Sequence, residues 1–83
     1  MAKSSQRYAI CVDNTDYPAA LELRKIYRVI PDADAAQDGD LRVIDESGED
    51  YLYPAGYFVI VDFPAPAVRA LRRSFAREAS EAR

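Results

Sequence analysis

Histidine and tryptophan are both absent from these 83 residues. Without histidine the chain lacks the side chain that most often serves as general base and metal ligand near neutral pH. Cys11 is the only cysteine, so an internal disulfide is excluded. Together with the absence of a leader-like N-terminal segment, a lone thiol suits a reducing cytoplasm. No apolar run approaches the roughly 18 residues that a membrane-spanning helix needs. There is no internal repeat and no low-complexity tract.

What is present describes one small soluble domain. The apolar share is 49% and the charged share 30%, ordinary values for a globular chain. A chain this short buries only about 60% of its unfolded surface, so its core is small. The net charge is −3, which argues against a nucleic-acid-binding body. That charge is unevenly placed. Residues 1–30 carry a net +2, residues 31–62 a net −8 and residues 63–83 a net +3. A basic tail behind an acidic middle either docks on that middle or stays solvated.

Residues 1–7 read as a flexible start. Tyr8-Ala9-Ile10-Cys11-Val12 is rich in apolar and β-branched residues, as a first strand should be. Asp13-Asn14-Thr15-Asp16 ends it with side chains that bond their own backbone. Tyr17 to Leu23 reads as an excursion loop. From Leu23 the alternation places Leu23, Lys25, Tyr27 and Val29 on one face and Arg24 and Arg28 on the outer one. Pro31 to Asp40 is a surface loop with room for one helical turn at Ala33 to Gln37.

Leu41 to Asp62 carries three more strands, Leu41 to Asp45, Tyr51 to Tyr53 and Phe58 to Asp62. The first two flank a tight turn at Glu46-Ser47-Gly48-Glu49, and Pro54-Ala55-Gly56 makes a corner before the third. Gly48 is expected to hold a positive φ. Beyond Pro64 the period changes. Val68, Leu71 and Phe75 recur at helical spacing, which predicts a helix from about Pro66 to Ala79 that covers an open side of the strands and frays at its end.

This order of strands resembles the SH3-like barrel. Leu21-Glu22-Leu23-Arg24-Lys25-Ile26-Tyr27-Arg28-Val29 is similar to the family's leucine, charged turn and alternating second strand. Tyr53-Pro54-Ala55-Gly56-Tyr57-Phe58 resembles its proline-x-x-tyrosine corner, a one-turn 3₁₀ segment. More closely, Cys11-Val12-Asp13-Asn14, Leu23 to Val29 and Val43 to Phe58 resemble a group of small, mostly uncharacterised bacterial proteins. The likeness covers about residues 8–63. It implies a mainly β fold, a small five-stranded SH3-like barrel with a C-terminal α-helix, the barrel at residues 8–63 and the helix at 64–83. In eukaryotic SH3 domains the corner proline and tyrosine line a groove for proline-rich peptides. Pro54 and Tyr57 match those two positions. The groove's usual tryptophan and the alanine-leucine-tyrosine-aspartate-tyrosine signature are missing, so the resemblance carries the barrel rather than that specificity.

Catalytic chemistry finds little support. Cys11 sits mid-strand with no base near it in sequence, as a buried structural thiol would. Asp45, Glu46, Glu49 and Asp50 flank one exposed turn, whereas glycosidic chemistry needs carboxylates across a cleft. They read as a solvated turn that discourages edge pairing. The loop Asp32-x-Asp34-x-x-x-Asp38-Gly39-Asp40 fails calcium-loop spacing, with Ala36 at the fifth position and Val43 where a bidentate glutamate belongs. No cofactor and no metal is expected.

Six tyrosines are the stronger signal. Tyr17, Tyr51, Tyr53 and Tyr57 are placed to gather near the excursion loop and the corner, where tyrosines make good interface anchors. Tyr27 and one of Tyr51 or Tyr53 are expected in the core. The reading is a non-enzymatic interaction module that binds a protein or peptide through Tyr17, Pro54 and Tyr57. The alternative is a nucleic-acid accessory protein that contacts phosphates through Arg69, Arg72, Arg73 and Arg77 of the helix, helped by Arg24 and Arg28. No membrane partner is expected.

Overall fold

A computed structural model of the chain describes residues 7–81. The loose start expected over residues 1–6, and the fraying expected at residues 82–83, lie outside the described residues. Arg7, assigned above to that loose start, opens the first strand instead.

Five strands form one antiparallel sheet: β1 (Arg7–Cys11), β2 (Ile26–Ile30), β3 (Asp40–Ile44), β4 (Asp50–Pro54) and β5 (Phe58–Val61). Their order across the sheet is β4-β3-β2-β1-β5. The first strand is therefore an interior one, pairing Tyr8 with Arg28 of β2 on one side and with Val61 of β5 on the other. β4 and β5 are the outer strands. A 3₁₀ turn at Ala55–Tyr57 joins them in sequence, yet they do not pair with each other. The sheet is open rather than closed into a ring.

One face of the sheet holds the core. Ala9, Cys11, Tyr27, Val29, Val43, Tyr53 and Phe58 are buried in it, with Leu21 added from the loop between β1 and β2. The strands alternate as period 2 requires, so the neighbours of these residues point to the other face. Tyr27 and Tyr53 take the core places expected of the tyrosines, while Tyr51 is half exposed. Burial pushes the Cys11 thiol above its ordinary pKa. The thiol is thus less ionised than a free one and a poorer nucleophile.

The second strand corrects the sequence reading. Arg24 sits in the left-handed region at φ 64°. Its N–H donates to the Cys11 carbonyl at 2.6 Å, and the Cys11 N–H donates to the Lys25 carbonyl at 3.0 Å. Two residues thus oppose one, which is a β-bulge with its first residue left-handed. The extra residue breaks the alternation that the sequence appeared to carry from Leu23 onward. Leu23 is left exposed, and the strand proper begins only at Ile26.

Two short elements close the frame. α1 (Ala33–Gln37) is the helical turn allowed for in that loop; Asp32 caps it by accepting from the Ala35 N–H at 3.0 Å. Asp32 also pairs with Arg42 Nε at 2.7 Å, and Arg42 reaches Asp50 at 2.9 Å. The acids of this loop are thereby partly spent on structure. The β3–β4 turn runs from Asp45 to Glu49, with the Gly48 N–H donating to the Asp45 carbonyl and Gly48 at φ 87°. That is a tight turn followed by a left-handed residue, the role a glycine fills without strain.

α2 (Ala65–Glu81) is longer than its apolar spacing predicts. Pro66 falls in its first turn, where a missing N–H costs nothing. Val68, Leu71 and Phe75 are half-buried, and Phe75 stacks on Tyr8 at 6.0 Å between ring centres. Among the described residues no helix is long and apolar enough to cross a membrane.

Candidate functional site

The excursion between β1 and β2 has no regular structure, yet it is firmly held. Leu21 is fully buried. Asn14 Nδ2 donates to the Leu21 carbonyl at 2.8 Å, and the Leu21 N–H donates to the Tyr17 carbonyl at 3.0 Å. The Glu22 N–H donates to the Tyr27 hydroxyl at 2.8 Å, and the Glu46 N–H to the Ala20 carbonyl at 3.1 Å. At the other end, Val12 N–H donates to the Tyr57 carbonyl at 2.8 Å. These bonds fix Tyr17 relative to the 3₁₀ turn.

Tyr17 lies edge-on to Tyr53, with ring centres 5.0 Å apart at 84°, and 6.1 Å from Tyr57 at 63°. Tyr53 is buried, Tyr57 half-buried and Tyr17 42% exposed. The three rings form an aromatic shelf that starts in the core and ends at the surface. Pro54, exposed, stands between Tyr53 and the 3₁₀ turn that carries Tyr57. The structure thus brings Tyr17 and Tyr57 together and sets Pro54 at the same corner. Tyr51 does not join them; its hydroxyl reaches Glu49 at 3.3 Å on the exposed side.

The shelf has an acidic rim. The Tyr57 hydroxyl donates to Asp16 Oδ2 at 2.8 Å, which together with partial burial pushes the phenol above its ordinary pKa. Asp13 accepts from the hydroxyl and N–H of Thr15, and both bonds hold its carboxyl below the usual range. Asp13 is therefore anionic near neutral pH. Sequence reasoning missed Asp16 as the partner of Tyr57, because 41 positions separate them. An aromatic shelf with an anionic rim suits an apolar or aromatic group carrying a cation nearby.

Two acids described above as a solvated turn require correction. Asp45 is buried. It accepts from the Ser47 N–H at 2.9 Å, the Ser47 hydroxyl at 2.6 Å and the Tyr53 hydroxyl at 2.5 Å. Burial pushes its carboxyl up, but these bonds outweigh it and hold the pKa below the usual range. Glu46 accepts from Lys25 Nζ at 2.7 Å and from the Tyr27 hydroxyl. Burial again acts upward, and the bonds from Lys25 and Tyr27 win. Both tyrosine phenols are raised, by burial first and by their carboxylate partners second. The hairpin turn is thus the anchor for the two core tyrosines, a role that only the three-dimensional pairing reveals.

The basic residues separate into two groups. Arg69, Arg72, Arg73 and Arg77 are exposed on α2, and none forms an ion pair with another described residue. Among the described residues the ion pairs made by acids of the middle segment come from Arg42 and Lys25. Arg24 is in the bulge rather than on a strand. Arg28 lies under α2, its guanidinium 4.7 Å from the centre of the Phe75 ring. Arg24 and Arg28 accordingly do not share an outer face with each other. Comparison with family models, with curated proteins and with solved structures returns no match for this chain.

Proposed function

We propose that this protein is a non-enzymatic interaction module of the SH3-like kind, binding a protein or peptide partner in a reducing cytoplasm through Tyr17, Pro54 and Tyr57. The observation that carries the reading is the position of Tyr17, 42% exposed yet seated edge-on against buried Tyr53. A surface ring held in place before binding loses little freedom when a partner covers it. Asp13 and Asp16 beside it favour a ligand with a basic residue next to an apolar one. The order of the strands and the 3₁₀ turn after β4 support the barrel reading of an open sheet. Selection from a displayed peptide library tests the proposal. Peptides retained by the wild type should be lost by Tyr17→Ala, with the far-ultraviolet spectrum and melting temperature of the variant unchanged. Peptides that bind both proteins equally would defeat it.

A second reading rests on the arginines of α2. Four exposed guanidinium groups without an internal ion-pair partner among the described residues suit contact with phosphates. A salt titration against random DNA and RNA separates it from the first. Binding at low salt that is lost on replacing Arg69, Arg72, Arg73 and Arg77 by alanine supports it, and no binding at low salt removes it.

A further inference from the structure

Two buried side-chain polar atoms have no hydrogen-bond partner among the described residues, the Tyr8 hydroxyl and Arg28 Nε. They are direct neighbours. Tyr8 and Arg28 oppose each other in the β1–β2 ladder, on the face of the sheet away from the core. Both lie beneath Phe75, whose ring stacks on Tyr8 at 6.0 Å and sits 4.7 Å from the Arg28 guanidinium carbon. The docked helix thus shuts two donors away from water and offers them an apolar ring. A buried donor left unmet is costlier than one in water.

The rest of the helix attachment is light. Val68 and Leu71 are only half-buried. Among the described residues no hydrogen bond or ion pair joins α2 to the sheet. A cleft of about 200 Å³, partly open to solvent, separates α2 from the β3–β4 turn and is lined by Arg28, Ile44, Gly48, Phe75 and Glu78 among others, so the helix does not pack against that turn along its whole length.

We propose that α2 is a releasable cover, which lifts from the outer face of the sheet as a unit while the sheet and its inner core stay folded. Docked, it gains the Phe75 contacts with Tyr8 and Arg28. Released, it returns the Tyr8 hydroxyl and Arg28 Nε to water and bares the two side chains as one patch. The unmet donors thus oppose the ring contacts that hold the cover down. Units that open in this way do so below the free energy of global unfolding. A lone helix of this length is marginal in water, so release also opens its backbone to solvent.

Hydrogen exchange of the full-length protein under native conditions tests this. The α2 amides from Leu71 to Glu78 are expected to exchange as one group, at least tenfold faster than those of β1 and β2, with weak dependence on denaturant. Exchange of both sets with the same opening free energy would overturn the proposal. Tyr8→Phe removes one unmet donor and keeps the ring. It should slow α2 exchange roughly fivefold relative to β2; no change, or faster exchange, overturns the account of the buried donors. Phe75→Ala should speed α2 exchange and leave β2 within about twofold. An equal rise in both would make the helix part of the core rather than its cover.

Discussion

The loop between β1 and β2 and the helix α2 invert the usual expectation about order. The loop has no regular secondary structure, yet it buries Leu21 completely and is tied to the 3₁₀ turn, β2 and the hairpin turn by backbone and side-chain hydrogen bonds. The helix is regular along 17 residues, yet none of its residues with described burial is fully buried. Regularity satisfies a segment's own backbone. Attachment depends on what its side chains bury and bond elsewhere. The loop is irregular because its backbone groups find partners outside itself, and that is also why it is fixed.

The contrast can be broken most directly at Leu21. Leu21→Ala should lower the unfolding free energy by about 2–5 kcal/mol, the cost of emptying a closed apolar site. Phe75→Ala removes a larger side chain but should cost less, about 1–2 kcal/mol, because the ring is only half-buried. Urea denaturation of both variants measures the order, and a larger loss at Phe75 would reverse the comparison.

Next in size is Asp45, which ties the hairpin turn to Tyr53. Asp45→Ala leaves the Tyr53 hydroxyl buried without its acceptor and should cost about 1–3 kcal/mol. The same carboxylate gives a pH signature. Its folded pKa is lowered, so its contribution is fully present above the unfolded carboxylate value of about 4 and is lost as pH falls through the folded value. The urea midpoint of the wild type should therefore drop on acidification below about pH 4. Asp45→Asn should show a shallower drop, and parallel profiles would assign the acid sensitivity to other groups.

Two backbone substitutions should have the smallest effects and opposite signs. Gly48→Val places a β-branched residue at φ 87° and should destabilise by about 1 kcal/mol or more. Space is not the issue, because a Cβ there meets nothing within 4 Å. Arg24→Gly relieves a left-handed arginine at φ 64° and should stabilise by up to about 1 kcal/mol. A loss at Arg24 would mean that its side chain holds the bulge.

Strand composition, the glycine at 48 and the apolar spacing of α2 were all readable because each depends on neighbours in sequence. Strand ends shifted by one residue, as at Arg7 and Asp40, where β-branched content stops short of the hydrogen-bond ladder. The bulge at Arg24 was hidden, because an arginine stands where glycine is the usual signal. Tyr17 and Tyr57 were legible as a pair through their place at two corners. Their acidic partner Asp16, and the pairing of Asp45 with Tyr53 and Glu46 with Tyr27, were not. A carboxylate at a turn looks the same whether it faces water or a buried phenol. The register that decides this is set by the whole sheet.

The interior position of β1 has a consequence for how the sheet is assembled. The first strand to be synthesised lies between β2 and β5, and its second ladder pairs Cys11 with Phe58 and Tyr8 with Val61. Until the last strand emerges, β1 has only one neighbour, and its other edge displays unpaired backbone beside Ala9 and Cys11. Contacts this distant in sequence form slowly. Until β5 is made, that edge of β1 is open to other strands, and pairing with β5 covers it.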